Sequence, residues 1–162
     1  MPNNNIIDER NNNIQIYING SFYLRDDAKI SVFDSGFLLG DGIWEGIRLV
    51  KNEWLFIDEH IDRLLEGCLA IDIKLDLSRD EIKEAILETQ KINNMSDSAH
   101  ARVMITRGDK IKPFQQPSLS TSGINFVIIM EHSFESPNSN GIKLVTVPQV
   151  RGLPMSQDPK LN

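Results

Sequence analysis

The sequence has one cysteine and no long apolar run, and each shortage excludes a class of protein. Cys68 is the only cysteine among 162 residues, which excludes an internal disulfide framework and favours a reducing compartment. No apolar run approaches the roughly 20 residues that a membrane-spanning helix needs. The start of the chain lacks the basic residues and apolar centre of a signal peptide. We therefore expect a cytoplasmic protein that has no membrane partner.

Basic residues are also outnumbered by acidic ones. The chain has 17 Lys and Arg against 23 Asp and Glu, for a net charge of −6, and no run of basic residues. This balance argues against nucleic acid as the main partner. A hydrophobic content of 40% and a charged content of 25% are typical of a globular protein with a core. The length suits one ordinary domain, or a small domain joined to part of a second.

Apolar periodicity predicts an α+β chain. The predicted strands cover 14–20, about 21–32, two short segments within 47–57, then 100–107 and 124–131. The first two should form a hairpin, because the first ends on Asn-Gly. Asp58 is the predicted N-cap of a first helix, and Ser78 with Glu81 forms a capping box for a second. Strands come first, then two helices, then further strands, which favours α+β over repeated βαβ units.

Residues 34–48, DSGFLLGDGIWEGIR, hold four glycines, two aspartates and two large aromatic side chains. The spacing matches neither a Walker A loop nor a dinucleotide-binding fingerprint, and no basic residue follows promptly. Two interpretations remain open from the residues alone. The stretch is either a tight turn with aromatic side chains packed in the core, or the wall of a substrate pocket where backbone approaches a ligand.

Three arginines are candidates for binding an anion. Arg63 shares a helical stripe with His60 and Gly67, and a guanidinium suits phosphate or carboxylate. A lone helix-surface arginine is nevertheless more often only a snorkelling side chain. Arg102 and Arg107 lie five residues apart on one predicted strand and so point to opposite faces. One of these two is a candidate anion receptor, unless it pairs with an acid at the edge of the sheet.

Other chemistry has little support in the sequence. The histidines His60, His100 and His132 show no metal-ligand spacing with Cys68 or with acids, so no metal site is predicted. Cys68 falls on the apolar face of the first helix, where an inert core thiol is expected. A G-x-S-x-G nucleophile elbow is absent.

Four motifs taken in order carry a family resemblance. They are YING, the D-x-G-x-x-x-G-D-G-x-x-E run, the strand pair that ends in LFIDEHIDRL, and the strand that ends in TRG. From about Tyr17 to the C-terminus the chain resembles the class IV aminotransferases, which are pyridoxal-phosphate enzymes of fold type IV. That superfamily includes branched-chain aminotransferases, D-amino-acid aminotransferases and aminodeoxychorismate lyases. The resemblance implies a small α+β domain, made of an antiparallel sheet with two helices, followed by the first strand of a large domain.

The resemblance also implies roles for particular residues. Arg63 matches the family arginine that holds the phosphate of pyridoxal 5'-phosphate. Trp44 matches the position where the family places an aromatic side chain against cofactor and substrate. Gly46 and Arg48 complete an EGIR run like that of branched-chain aminotransferases. Arg102 lies near a position where those enzymes present an arginine to the pocket.

The implied function is transfer of an amino group between an amino acid and a 2-oxo acid, by a ping-pong mechanism in a homodimer. Two alternatives remain. One is the lyase branch, which uses the same cofactor for an elimination. The other is a non-catalytic relative or fragment that lacks the lysine with which the family forms its Schiff base to the cofactor.

The chain departs from the family pattern in two places. Lys112 and Phe114 stand where D-amino-acid enzymes carry an Arg-x-His pair, so D-amino-acid specificity in its usual form is not supported. The family's D-P-x-x-K pattern, placed on 158–162, puts Asn162 at the lysine position, and Lys160 fits only after a shift of two residues. We favour a third option, in which the lysine lies beyond the last residue, and the catalytic residue is then unknown.

The second departure suggests an N-terminal portion of a longer enzyme. We expect a disordered leader at 1–13, a small α+β domain at 14–135, an interdomain linker at 136–141, and the start of a truncated large domain at 142–162.

Overall fold

The structure is a computed structural model that describes residues 8–133, 143–148 and 150. Its six strands are β1 (Gln15–Ile18), β2 (Ser21–Leu24), β3 (Gly42–Val50), β4 (Glu53–Trp54), β5 (Ala99–Thr106) and β6 (Asn125–His132). Its α-helices are α1 (Ser35–Leu39), α2 (Ile57–Ala70) and α3 (Arg79–Ile92), and short 3₁₀ helices cover Glu9–Asn13 and Pro117–Leu119. The strands form one sheet in the order β2-β1-β6-β5-β3-β4. Each strand pair is antiparallel, which confirms the predicted α+β class with two long helices.

The core lies between one face of this sheet and helices α2 and α3. Strand β3 alternates buried and more exposed residues, because successive side chains of a strand point to opposite faces. The residues that close the core share a position on the inner face of the sheet or on the apolar stripe of a helix: Ile43, Ile47, Leu49, Ile61, Leu64, Cys68, Ile82, Ile86, Val103 and Ile105. Burial raises the pKa of the Cys68 thiol to about 11, so this thiol is an inert core group.

The opposite face of the sheet is called the open face below, and it is defined by Trp44, Gly46, Arg48, His100 and Arg102. The pairing of β3 with β5 sets Gly46 opposite Arg102, and Arg48 opposite His100. Trp44, Arg48 and Arg102 are exposed, whereas Gly46 and His100 are half-buried. Residues distant in the sequence therefore share one surface through strand register.

The N-terminal segment differs from its prediction as a disordered leader. Residues 9–13 form a 3₁₀ helix that Asp8 caps through a hydrogen bond from the Arg10 backbone N–H. The Asn11 side chain donates to the His132 carbonyl at 2.9 Å and accepts from the His132 N–H at 2.7 Å. The amide thus extends the edge of β6 as a neighbouring strand would. The leader prediction is wrong for residues 8–13, and residues 1–7 lie outside the described part.

Three predicted boundaries also change. Strand β3 begins at Gly42, five residues before the predicted start at 47. Strand β2 ends at Leu24, not near residue 32, because the Leu24 carbonyl accepts from Asp27 and Ala28 in a turn. Helix α2 begins at Ile57 after Phe56, which has φ 53° and makes no side-chain cap, so the prediction of Asp58 as N-cap is wrong. The Asp58 carboxylate instead accepts from Lys83 Nζ on α3 at 2.8 Å.

Other sequence predictions are confirmed or fall outside the description. The capping box holds, with the Ser78 N–H donating to Glu81 Oε2 at 2.7 Å and the Glu81 N–H to Ser78 Oγ at 3.3 Å. The predicted linker at 136–141 lies outside the described residues. Of the predicted opening strand of a large domain, residues 143–148 and 150 are described and have no regular secondary structure.

Candidate functional site

Strand β3 carries candidate residues on both of its faces. Trp44, Gly46 and Arg48 project to the open face, while Glu45 projects between them toward the helices. The strand pairs with β4 only through Leu49 and Val50. Among the described residues, its outer edge from Gly42 to Ile47 consequently has no strand beside it. A ligand at this edge would reach side chains from both faces of β3.

On the open face, Trp44 and Arg102 are in direct contact. The guanidinium carbon of Arg102 lies 3.9 Å from the centroid of the Trp44 ring, a cation–π geometry. Within the described residues Arg102 forms no ion pair, so its N–H groups are not committed to a carboxylate there. The four predicted pocket residues Trp44, Gly46, Arg48 and Arg102 therefore lie on one face of the sheet.

His100 lies beside them and was not predicted as a site residue. A Cβ at Gly46 would lie 3.0 Å from His100 Nε2 and 3.6 Å from the Trp44 ring, so the glycine leaves room for both rings. Burial, followed by the charges of Arg48 and Arg102, lowers the pKa of His100 below its ordinary value of 6.5. The imidazole is therefore mainly neutral at pH 7, and it can both donate and accept a hydrogen bond. His100 and Arg48 also line a cavity of about 240 Å³.

On the helix side of β3, Glu45 joins two residues of α2. Arg63 donates to it from Nε and Nη2, each at 2.5 Å, and His60 Nδ1 lies 2.7 Å from Oε2. The Glu45 side chain is 2% exposed and Arg63 is half-exposed. Hydrogen bonding to Glu45 raises the pKa of Arg63 above its ordinary value. A buried carboxylate is costly without a cationic partner, so the burial of Glu45 favours its ion pair with Arg63.

The bond to Glu45 also determines how Arg63 can bind a ligand. A guanidinium has five N–H donors, and Glu45 occupies one on Nε and one on Nη2. Both donors on Nη1 and the second on Nη2 remain, in a fork suited to phosphate. Arg63 lines a cavity of about 270 Å³ together with Phe56, Glu59 and His60. The residues present therefore fit a phosphate group at Arg63.

Glu45 was missed as a site residue, although a signal was present. It is the single acid among the apolar residues that share its face of β3, and a buried acid in that position implies a cation across from it. Gly67, one turn after Arg63, allows a close approach of helix and strand. A Cβ at Gly67 would lie 3.0 Å from Cγ2 of Ile43.

The remaining candidates lie away from these groups. Arg107 pairs with Asp41 at 2.8 Å, which selects the interpretation of an arginine paired with an acid at the sheet edge. Lys112 and Phe114 are both exposed, on the segment that follows β5. In the part of the chain that the structure describes, no group of His, Cys, Asp and Glu could hold a metal ion. No helix in that part is long and apolar enough to cross a membrane.

Comparison with known proteins places the chain in a family. The family model described as amino-transferase class IV matches residues 42–161. The branched-chain-amino-acid aminotransferase-like protein 2 of Arabidopsis thaliana is 37% identical over 141 residues, which are 85% of this chain and 25% of that protein. The D-alanine aminotransferase of Staphylococcus haemolyticus is 28% identical over 86% of this chain and 49% of its own length.

The fold is also shared with solved structures. A branched-chain aminotransferase from Thermoproteus uzoniensis, solved with norvaline, superposes with a TM-score of 0.76 over 90% of this chain and 50% of that one. At 19% sequence identity this likeness concerns the fold alone. The chain belongs to the class IV aminotransferases, and it spans between a quarter and a half of the length of the relatives compared here.

Proposed function

We propose that the protein is a pyridoxal-phosphate-dependent transaminase that moves an amino group between an amino acid and a 2-oxo acid. The observation that carries the proposal is the orientation of Arg63 by Glu45, in a chain of the class IV family. Pyridoxal phosphate is the cofactor of that family, and its phosphate is the anion for which the free N–H groups of Arg63 are suited. When bound, the cofactor stores the amino group and withdraws electrons from the substrate carbon.

Arg63 holds the phosphate in this proposal. Its two bonds to Glu45 keep the guanidinium plane fixed before the cofactor arrives, so little rotamer entropy is lost on binding. The half-exposed side chain leaves the three free donors accessible at the cavity of about 270 Å³. A charge-assisted contact of this kind contributes about 1.5–3 kcal/mol.

The open face binds the substrate. Trp44 supplies an aromatic wall that excludes water, and Arg102, stacked on that wall, receives a substrate carboxylate. Gly46 keeps space in front of the neutral imidazole of His100, which hydrogen-bonds the same substrate. Arg48 contributes a further positive charge at the far end of this row. The side chain of the amino acid would lie against Trp44.

The proton-transferring group belongs outside the described residues. The wall of the cavity at Arg63 contains no lysine among the described residues, since it consists of Phe56, Glu59, His60 and Arg63. A lysine outside the described residues would carry the proton between substrate and cofactor. We further propose that the protein is cytoplasmic, as the composition predicted, and a homodimer, as the family resemblance implies.

The phosphate assignment is tested by a binding experiment that compares two ligands. The complete protein is prepared without cofactor, and its affinities for pyridoxamine 5'-phosphate and for pyridoxamine are measured by calorimetry. Arg63→Met is expected to weaken binding of the phosphorylated ligand at least tenfold and to leave pyridoxamine binding within twofold. Arg79→Met is the matched control, because Arg79 lies on α3 and bonds Asp58 and Asp62, which are on the same helix as Arg63. Unchanged affinity for the phosphorylated ligand in Arg63→Met would overturn the assignment.

The reaction is tested separately with the wild-type protein. Amino transfer that depends on an added 2-oxo acid supports the transaminase, whereas release of pyruvate from aminodeoxychorismate without a 2-oxo acid supports the lyase. Borohydride treatment followed by mass spectrometry of peptides locates the lysine that reacts with the cofactor. Absence of both activities and of any lysine adduct would identify the protein as non-catalytic.

A further inference from the structure

Arg107 connects three elements that are distant in the sequence. Its Nε donates to Asp41 Oδ2 at 2.8 Å and its Nη2 to Asp41 Oδ1 at 3.0 Å. The same guanidinium donates from Nη2 to the Ile71 carbonyl and from Nη1 to the Asp72 carbonyl, both at 2.8 Å. The side chain is 15% exposed. Arg107, which directly follows β5, thus joins the residue before β3 to the two residues after α2.

The bonds to Ile71 and Asp72 hold the two residues that directly follow α2. The last carbonyls of a helix have no partner within the helix, and they carry a partial negative charge that a cation stabilises. Helix α2 ends at Ala70 and has no basic residue in its own last turn. Backbone N–H groups of residues 71–73 bond the last carbonyls of α2, and Arg107 provides the positive charge from outside the helix.

Three contacts of α2 with β3 fall at matched intervals. Asp41, Ile43 and Glu45 follow one another on the same side of the β3 segment. They meet, in that order, the end of α2 through Arg107, then Gly67, then Arg63. Two residues of a strand rise about 6.6 Å, and four residues of a helix rise about 6.0 Å. The helix therefore runs antiparallel to the strand. A contact at either end of this row can fix the position of α2 along β3.

We propose that Arg107 is a positioning residue for Arg63. By joining Asp41 to the end of α2, it prevents the helix from sliding along β3, and so keeps Arg63 opposite Glu45 with its free donors directed at the cavity. This inference rests on the proposed function, in which those donors hold the cofactor phosphate. If Arg107 only stabilised the fold, its loss would lower the unfolding temperature without changing how the folded protein discriminates phosphate.

The test uses the complete protein without cofactor, at a temperature where circular dichroism shows each variant folded. We expect Arg107→Met to weaken binding of pyridoxamine 5'-phosphate about five- to tenfold and to leave pyridoxamine binding within twofold. Arg107→Lys keeps the charge but not the fork, and it should be intermediate. Asp41→Asn removes the negative charge and one of the two acceptor oxygens and leaves the helix-end bonds, so it provides a second test if Arg107→Met does not fold. Arg79→Met is again the matched control.

The double variant Arg63→Met/Arg107→Met decides whether the effect passes through Arg63. If it does, the double variant binds the phosphorylated ligand no more weakly than Arg63→Met alone. Two results would overturn this inference and leave the proposed function standing. In the first, the affinity losses of the two single variants multiply in the double variant. In the second, Arg107→Met binds the phosphorylated ligand like wild type while Arg63→Met is impaired. An Arg63→Met protein that binds like wild type would overturn the proposed function and this inference together.

Discussion

The guanidinium of Arg63 contacts the carboxylate of Glu45 through two N–O distances of 2.5 Å each. The two residues lie 18 positions apart, one on helix α2 and the other on strand β3. Glu45 is buried and Arg63 is half-exposed, so the carboxylate is fixed by the core and the arginine is fixed by the carboxylate. This relationship turns a surface arginine into a rigid group that presents its remaining donors outward.

Replacing Glu45 with Gln should destabilise the protein. The neutral amide cannot accept from Arg63 and His60 as the carboxylate does, and it would leave a poorly satisfied polar group in the core. We expect the free energy of unfolding in urea to fall by about 1–3 kcal/mol, a range that allows for the solvent exposure of Arg63. Glu59→Gln is the matched control, because Glu59 is exposed and lies in the same turn of α2 as His60, a partner of Glu45. Equal losses in the two variants would contradict the prediction.

His100 should make stability depend on pH on the acid side of neutrality. Its pKa in the folded protein is lowered by burial and by Arg48 and Arg102, while Glu131 opposes the shift. Below about pH 6.5 the unfolded chain binds a proton at this position more readily than the folded chain, so stability falls as pH falls. His100→Gln cannot bind that proton, and the stability difference between wild type and variant should change in the variant's favour between pH 8 and pH 5. Urea titrations at several pH values measure the free energy of unfolding of both proteins. A difference between them that stays constant with pH would refute the prediction.

Gly108 should tolerate alanine far less than Gly20 does. Both have positive φ, at 82° and 87°. A Cβ at Gly108 would lie 1.6 Å from the carbonyl oxygen of Gly123, whereas a Cβ at Gly20 would meet nothing within 4 Å. We expect Gly20→Ala to cost about 1–2 kcal/mol from backbone strain alone, and Gly108→Ala at least about 3 kcal/mol, because backbone must also move. Thermal unfolding of the two variants compares them, and similar midpoints would show that the clash is relieved at little cost.

The local patterns of the sequence predicted much of the architecture. The predicted strand began only at 47, so the common face of Trp44, Gly46 and Arg48 emerged from the observed alternation along β3 and was not predicted. The 3.6-residue period of the helices and the Ser78–Glu81 capping box are local, and both are confirmed. The family motifs also depend on order and spacing along the chain, which is why class IV membership followed from the sequence.

Where the patterns failed, the deciding contact came from a distant segment. Asn11, in the predicted leader, is ordered because its amide pairs with His132, 121 residues away. Asp58 does not cap α2, and its carboxylate instead accepts from Lys83 Nζ, 25 residues away on α3. No pattern within either segment contains the partner that determines its conformation.

The sequence by itself determined which side chains share a strand face or a helix stripe, because those relationships repeat with the backbone geometry of a few residues. The tertiary structure alone decided that Arg102 stacks on Trp44, that Glu45 orients Arg63, and that Arg107 joins Asp41 to the end of α2. Each of these contacts depends on the register between two strands or the placement of a helix on a strand. Register is a property of the packed core as a whole, since a shift by one residue would exchange the buried and exposed faces.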